Sequence, residues 1–377
     1  AEVFANWVPL FHDLGLVTAI LWPVYLGSPS ILMAPATFVR SPILWLQAIT
    51  RYRATMCGSP NFAFDLCVDK IAPADLATLD LSSWRVAYNS AEPVKAATLE
   101  RFAAHFGACG FRPQTFYPCY GMAEATVFIA GGDTTTAPVV LTVDKHQIAE
   151  SGIALVAPDD PRATRIVGCG TAHEPHHIEV VDPASGERMA AGKVGEIWFS
   201  GPSVSPGYWQ LDEISAQTFG QRIAGATSGK TYLRTGDLGT LWEGDLFVTG
   251  RMKDLIILRG RNYYPQDLEA SAWAAHASIR VGSCAAFSVR GEREDEGDER
   301  LVLVAEIERE HFRALDVEAV SAAIRQRIML DHEASVDQVV LLKPYKLPVT
   351  SSGKIQRRQT RQMLIDGELD VIAQAAA

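Results

Sequence analysis

The chain has 377 residues, 48% of them hydrophobic, which is enough to fill more than one core and excludes a disordered or fibrous protein. A formal net charge of -10 excludes a general nucleic-acid binder, although an acidic surface still permits a local positive pocket for an anionic ligand. The cysteines at 57, 67, 109, 119, 169 and 284 are scattered with no CxxC spacing, and they read as reduced thiols of a cytoplasmic protein.

The opening "AEVFANWVPL" has an acidic residue where a signal peptide would be basic, and it enters directly on an apolar, strand-like segment, as the middle of a domain would. From residue 3 to about 130, short apolar runs alternate with helical patterns. "VFANWV" predicts a strand and Leu14 to Tyr25 a helix; that apolar run, which reaches Gly27, is shorter than a membrane span and holds Pro23. "SILM" then predicts a strand, Pro42 to Tyr52 a helix and "ATMCG" a strand, with a helix beginning near Pro60. "WRVAYNS" follows as a strand, Val94 to Phe106 as a helix and "FRPQTFYPCYG" as an extended segment ending in a turn. Such recurrence argues for βα units, a mostly parallel sheet and a ligand site at the carboxyl ends of its strands, where "NSAEP" and "YGMAEAT" fall.

The pattern changes after residue 135. Residues 139 to 165 read as a polar insertion with helix-like "DKHQIAE" and the turn "APDDPRA", before "RIVGCG" resumes an extended pattern. From 176 to 249 strands dominate in "HHIEVVD", "VGEIWFSG", "YLRTGDLGTL" and "LFVTG", suggesting a small β domain. Beyond "GRMKDLIILRGRNYYP", Pro265 sits correctly for the first turn of a helix to about residue 278. A strand over 281 to 289, the acidic loop "GEREDEGDER", a strand over 301 to 307, a helix over 316 to 330 and a strand over 338 to 342 complete a compact α+β domain. The acidic loop reads as a solvated hairpin connection and is assigned no ligand.

Several segments carry chemistry. Asp237 in "RTGDLG" lies in a glycine-bounded turn, where its carboxylate could accept two ribose hydroxyls or serve only the turn, and Arg251 follows one hairpin later. In "YGMAEAT", Tyr120 offers a flat stacking surface, and Glu124 is either a hard oxygen ligand for magnesium or a first-turn carboxylate on a helix dipole. In "LPVTSSGKIQRRQ" a single lysine, Lys354, follows Ser351, Ser352 and Gly353 on a flexible turn; by composition alone it reads as part of a solvated basic tail with Arg357 and Arg358. His173, His176 and His177 lack the cysteine or carboxylate pattern of a structural zinc site and carry no metal reading.

Five ordered blocks, "WVPLFHDLGL", "NSAEPV", "FYPCYGMAEATVF", "TGDLGTLWEGDLFVTGRMKDLIILRGRNYYPQDLE" and "LPVTSSGKIQRRQ", closely resemble the adenylate-forming enzyme superfamily and, within it, the bacterial fatty acyl-AMP ligases. The resemblance spans essentially the whole chain. It implies an α/β and α+β multidomain fold: a partial large domain, with a parallel α/β part at 1–135 and an insertion and β subdomain at 136–251, and a small mobile C-terminal lid domain at 252–377. It implies that ATP and a medium- or long-chain fatty acid give an acyl adenylate and pyrophosphate. The acyl group then passes to the phosphopantetheine thiol of an acyl carrier protein, or of a carrier domain in a polyketide or nonribosomal peptide synthase. A monomer with no membrane span and no nucleic-acid partner is expected.

By position, the resemblance puts Ser90, Ala91 and Glu92 on a loop beside the nucleotide, with Tyr120 against adenine and Gly121 and Met122 among the nucleotide-binding residues. Asp237 would bind the ribose hydroxyls with support from Arg251, Glu124 would hold Mg2+, and His12 and Asp13 would lie at the acyl pocket. Lys354 would stabilise the charge that converges when a carboxylate attacks the α-phosphorus, and Lys253 would be the hinge about which the lid turns between steps. The Ser/Thr/Gly-rich loop and lysine that cradle the β- and γ-phosphates in this superfamily have no match here. The chain alone is therefore expected not to catalyse adenylation. Ser90 stands where relatives often have glycine. The alternatives are a fatty acyl-CoA ligase, an amino-acid-activating domain, disfavoured by the apolar segment around His12, and an inert interaction module. An insertion packed on the large domain is expected to restrain the lid and favour a carrier protein over coenzyme A.

Overall fold

The structure, a computed structural model, describes residues 2–227, 229–290, 299–350 and 353–376. Most of the acidic loop, 291–298, and the serines Ser351 and Ser352 lie outside the described residues. The chain forms two compact units, Ala1–Thr249 and Gly250–Ala377.

The first unit opens with β1 (Phe4–Asn6) and a helical run made of α1 (Asp13–Leu16), a π-turn over Val17–Leu21 and α2 (Trp22–Leu26). The sequence predicts one regular helix here. The π-turn is the difference, and Pro23 explains it: proline has no N–H to offer, and the Trp22 N–H reaches back five residues to the Val17 carbonyl just before it. β2 (Ser30–Leu32), α3 (Pro35–Arg40), α4 (Ile43–Tyr52), β3 (Met56–Ser59), α5 (Asn61–Lys70), β4 (Val86–Asn89), α6 (Ala96–Phe106), β5 (Phe116–Tyr120) and β6 (Ala130–Gly131) follow. They build one sheet in the order β2-β1-β3-β4-β5-β6, parallel throughout except for the β5–β6 pair.

The helices cover this sheet because their apolar residues repeat on one face. On α6, Ala96, Leu99, Phe102 and Phe106 are all buried. They join an aromatic core in which Trp45 and Trp84 meet edge to face at 5.2 Å and Phe64 meets Phe102 at 5.1 Å. Both indole N–H groups find carbonyls at 3.0 Å, Trp45 of α4 on Ala5 and Trp84, just before β4, on Cys57, so the core is tied to the sheet by direction as well as by area. A second buried link joins strands to the π-turn: Tyr88 Oη donates to Asn6 Oδ1 and lies 2.9 Å from Thr18 Oγ1.

The segment after the sheet forms β7 (Val140–Asp144), α7 (Lys145–Glu150) and β8 (Ala163–Val167), with β7 and β8 antiparallel. Asp144 caps α7 through the amides of His146 and Gln147 at 2.9 and 3.1 Å. This insertion is a packed element of the first unit: Val167 enters the aromatic core, and Arg165 pairs with Glu100 of α6 at 2.5 Å. The four-stranded sheet follows, with β9 (His177–Val181), β10 (Gly195–Ser200), α8 (Asp212–Thr218), β11 (Leu233–Trp242) and β12 (Asp245–Arg251), in the order β12-β11-β10-β9. Helix α8 has no buried residue, so it left no apolar periodicity to read. His173 stacks on Phe128 and His176 on Phe199, and no metal-ligating cluster exists among the described residues.

The second unit contains the hairpin β13 (Ile256–Leu258) and β14 (Arg261–Tyr263), then α9 (Pro265–Ala274), β15 (Ile279–Arg290), β16 (Glu299–Ile307), α10 (Val317–His332), β17 (Gln338–Leu342), α11 (Arg357–Ile365) and β18 (Val371–Ala376). Its sheet, β15-β16-β17-β18, sorts side chains by alternation. Cys284, Ala286, Leu301, Leu303, Val339 and Leu341 join the core with α9 and α10, while Ala285, Phe287, Val302, Val304, Val340 and Leu342 form the core on the opposite face. The sequence reading stopped at β17 and missed α11 and β18, because α11 is mostly charged and amide side chains with Thr360 alone fully buried. All six cysteines are free thiols, and no described helix is long and apolar enough to cross a membrane.

Candidate functional site

In the first unit, the residues singled out by sequence gather where the parallel strands end. β4 runs out at Asn89 into the loop Ser90–Ala91–Glu92. Ala91 holds φ at 71°, a left-handed conformation that costs a non-glycine residue about 1–3 kcal/mol and marks a shaped loop. Glu92 takes the Phe62 amide at the start of α5, so its carboxylate fixes the loop to a helix N-terminus. Ser90 is buried and hydrogen-bonds the Cys119 sulfur on the neighbouring strand; burial pushes that thiol up to about 12, against the Ser90 bond, which leaves it inert at neutral pH.

The next strand, β5, ends on Tyr120, and the chain then turns sharply. A methyl group on Gly121 would lie 1.6 Å from the Val127 carbonyl oxygen, so only glycine fits the turn. The turn returns Tyr120 and Met122 onto the core of the four-stranded sheet, alongside Ile197, Phe199 and Leu233. Here the Tyr120 hydroxyl donates to Asp237 Oδ2 at 2.6 Å. Two sites quoted separately from the sequence, 117 positions apart, are therefore one site.

Asp237 is not in a turn, as the sequence suggested, but inside β11. The pairing of β11 with β10 shifts register there: Trp198 faces Arg234 and Glu196 faces Leu238, so Thr235, Gly236 and Asp237 bulge out opposite Ile197. Gly236 supplies the positive φ, 70°, that the bulge needs. The glycines flanking Asp237 thus signalled a strand irregularity, which a single sequence does not distinguish from a turn.

Glu124 lies in a short 3-10 turn over Ala123–Ala125. Its Oε1 accepts the Tyr208 hydroxyl at 2.7 Å, and its main-chain carbonyl accepts the Ser205 amide at 2.8 Å. Burial first, and then the Glu124 carboxylate, push the Tyr208 hydroxyl up to about 12, so the hydrogen bond stays protonated. Tyr208 escaped the sequence reading because "PGYWQ" carries neither periodicity nor charge. His12 and Asp13 sit at the start of α1, where the Leu14 amide is shared by Asp13 Oδ1 at 2.8 Å and His12 Nδ1 at 3.2 Å.

The remaining residues belong to the second unit. Arg251 ends β12, and Lys253 lies in the 3-10 turn Met252–Asp254. Lys354 is exposed at the mouth of a tight reversal rather than on a loose tail: its amide donates to Thr350 Oγ1 at 3.0 Å, its carbonyl accepts the Thr350 amide at 2.8 Å, and Val349 bridges Ile355 below. Immediately after it, Arg357 grips Glu269 with Nε and Nη2 at 2.6 and 2.7 Å and reaches Asp254 at 3.2 Å. The turn at Lys253 and the loop at Lys354 are therefore joined inside one unit by a half-buried ion cluster around the buried Glu269. Arg357 was visible in the sequence but read as solvated.

Comparison with known proteins places the chain in a family. The family described as AMP-binding enzyme matches residues 1–209, and the Disco-interacting protein 2-like AMP domain matches residues 253–374. Among curated proteins, the medium-chain-fatty-acid–[acyl-carrier-protein] ligase JamA of Moorena producens is 41% identical over 98% of this chain and 62% of its own length. The long-chain-fatty-acid–AMP ligase FadD32 of Mycolicibacterium smegmatis is 38% identical over 97% of this chain and 62% of its own length. Among solved structures, one from a study of fatty acyl-adenylate ligases of E. coli and L. pneumophila superposes with a TM-score of 0.85 at 34% identity, over 97% of this chain and 62% of that one. The L. pneumophila fatty acyl-adenylate ligase in complex with acyl adenylate and pyrophosphate gives a TM-score of 0.66 at 37% identity, over 100% of this chain and 64% of that one. The chain thus spans less than two thirds of the length of these relatives. With a family match across more than half of its residues and an adenylate-forming fold, the chain belongs to the AMP-binding enzyme family.

Proposed function

We propose that the protein activates a medium- or long-chain fatty acid with ATP and delivers the acyl group to the phosphopantetheine thiol of an acyl carrier protein. The observation that carries this reading is the joining of Tyr120 to Asp237 at the ends of the parallel strands, which supplies an aromatic face and a carboxylate side by side, as a nucleoside requires. The similarity to ligases of fatty acids and acyl carrier proteins supports the choice of substrate and acceptor.

In the first step a carboxylate oxygen of the fatty acid attacks the α-phosphorus of ATP; the bond to the bridging oxygen of the β-phosphate breaks, and pyrophosphate leaves with that electron pair. Tyr120 lies against the adenine, and Asp237 accepts the ribose hydroxyls, which fixes the α-phosphate relative to the sheet. Lys354 places an ammonium between carboxylate and phosphate, where two anions converge, so its contribution is largest in the transition state. Arg251 supports the ribose contact, and Lys253 is the pivot that withdraws Lys354 afterwards. In the second step the carrier thiolate attacks the acyl carbonyl, the bond to the phosphate oxygen breaks, and AMP leaves.

The donor set suits a Mg2+ ion that arrives with the nucleotide: Glu124 provides one hard carboxylate, oriented by Tyr208, and magnesium takes one or two carboxylates alongside substrate phosphates. When bound, the ion would neutralise phosphate charge.

Two measurements test the reading. The chain itself should bind a non-hydrolysable acyl adenylate by calorimetry, and Asp237→Ala should weaken that binding. The whole gene product, charged with a medium- or long-chain fatty acid and offered coenzyme A and a pantetheinylated carrier protein at equal concentration, should load the carrier; predominant acyl-CoA would refute the acceptor assignment.

A further inference from the structure

Glu196 is a carboxylate at the second position of β10, 1% exposed, in a place where an apolar residue would cost less. Its hydrogen bonds run to Gly236 in the bulge of β11, to Arg234 just before the bulge and to one neighbouring indole. Oε2 takes Arg234 Nε at 2.9 Å and the Trp198 indole N–H at 3.0 Å, and Arg234 Nη2 lies 2.8 Å from the same oxygen. Oε1 takes the main-chain N–H of Gly236 at 3.1 Å. That amide belongs to the one residue of the bulge with a left-handed backbone, immediately before Asp237. The bulge has two more ties: Thr235 Oγ1 donates to the Ile197 carbonyl at 2.7 Å, and the Asp237 amide lies 3.1 Å from Thr235 Oγ1. A buried charge persists only when its partners are well placed, and here one of them, Gly236, lies in the bulge and another, Arg234, borders it, where the backbone aims the Asp237 carboxylate at Tyr120.

We infer that Glu196 is a positioning residue for Asp237: it clamps the Gly236 amide and the Arg234 guanidinium so that the β11 bulge presents the Asp237 carboxylate to the ribose hydroxyls. The role rests on the proposed reading of Asp237 as the ribose acceptor. Glu196 touches no substrate atom. It acts through backbone shape, and it converts a flexible Gly-Asp pair into a fixed acceptor.

The experiment compares Glu196→Gln with wild type, with Asp237→Ala as a reference and Trp198→Phe as a control that removes another donor to the same carboxylate without touching the bulge. The Gln side chain keeps the volume but brings an NH2 against groups that are themselves donors. Calorimetry is run with AMP and with 2′,3′-dideoxy-AMP, and hydrogen exchange is followed at the Gly236 amide and, for comparison, in the strand His177–Val181. Expected for Glu196→Gln are a loss of at least about tenfold in the preference for ribose over dideoxyribose, approaching that of Asp237→Ala, and faster exchange at Gly236 while His177–Val181 stays protected. Trp198→Phe should keep both properties. A wild-type ribose preference with Gly236 still protected in Glu196→Gln overturns the inference. If Asp237→Ala itself keeps the ribose preference, the reading of Asp237 fails, and exchange at Gly236 alone then decides whether Glu196 holds the bulge.

Discussion

The Tyr120 hydroxyl donates to Asp237 Oδ2 at 2.6 Å, joining the end of a parallel strand to a bulge in a separate sheet. The bond ties the hydroxyl end of the aromatic ring to one oxygen of a carboxylate that is only 7% exposed. In the proposed reading this carboxylate is the acceptor of the ribose hydroxyls. Asn at 237 keeps an acceptor for Tyr120 but removes the charge that strengthens hydroxyl bonds, each worth about 1.5–3 kcal/mol when the acceptor is ionised. Asp237→Asn should therefore fold normally and bind AMP at least about tenfold more weakly by calorimetry. Unchanged affinity would remove Asp237 from the site.

A second prediction concerns the Tyr208–Glu124 bond at 2.7 Å. Folding raises the Tyr208 hydroxyl from its ordinary value near 10 to about 12. A raised value means that the protonated form is favoured in the folded state. The stabilisation is therefore complete below pH 10 and is lost as pH climbs through about 12. An ultraviolet difference titration of wild type against Tyr208→Phe should show the Tyr208 phenolate emerging late, near pH 12, and not with an unperturbed tyrosine. In the whole protein, Tyr208→Phe should also raise the magnesium concentration that half-saturates pyrophosphate exchange several-fold, with little change in kcat, because Glu124 loses its orienting partner.

Most of the parallel sheet was legible because its strands are short apolar runs separated by helices with clean apolar faces, as in α6 with Leu99, Phe102 and Phe106. The candidate site of the first unit was legible as separate pieces: Tyr120, Glu124 and Asp237 stand beside glycines or polar turns that break those patterns. Their assembly was not, since the meeting of Tyr120 with Asp237 depends on the packing of two sheets. Glu196, Tyr208 and Arg357 escaped for a related reason. Each is polar and acts from a partly or fully buried position, and sequence patterns report a polar residue as surface unless tertiary contacts are known. The bulge at Gly236 also looked like a turn, because both conformations use glycine for the same positive φ.

A third prediction addresses the aromatic core. Trp84 is buried against Trp45, Phe111 and Phe102, and its indole N–H serves the Cys57 carbonyl. Truncation removes the largest volume in that cluster and leaves the carbonyl without its side-chain donor. Trp84→Ala should destabilise the first unit by about 3–5 kcal/mol, read as a lower denaturation midpoint in urea. A loss under about 1 kcal/mol would mean that the surrounding rings collapse into the space, in contrast to the usual behaviour of tightly packed interiors.

The last prediction separates the proposed catalytic lysine from the arginine that ties down the start of the helix after it. Arg357 sits at the first position of α11, three residues after Lys354, and its guanidinium is shared by Glu269 of α9 and Asp254 of the turn that contains Lys253. Burial works to lower the Arg357 pKa, but hydrogen bonding and charge from Glu269 and Asp254 outweigh it, so the group is held protonated more firmly than usual. Glu269 is itself buried and also accepts the Ala286 amide at 3.0 Å. Replacing Arg357 with Met keeps much of the apolar stem but strands the Glu269 carboxylate, a change that costs about 3–5 kcal/mol when one partner of a buried pair is lost. Lys354→Ala removes an exposed ammonium and should leave stability within about 0.5 kcal/mol of wild type. In the whole protein both variants should suppress fatty-acid-dependent pyrophosphate exchange, yet only Arg357→Met should speed hydrogen exchange over residues 353 to 365. Adding Glu269→Gln to Arg357→Met should recover part of the lost stability, because the stranded charge is gone, while Lys354→Ala gains nothing from it. Pyrophosphate exchange near wild type in Lys354→Ala would end the catalytic assignment of that lysine. Slow hydrogen exchange in Arg357→Met would show that the Lys354 loop is held without the Arg357 ion pairs.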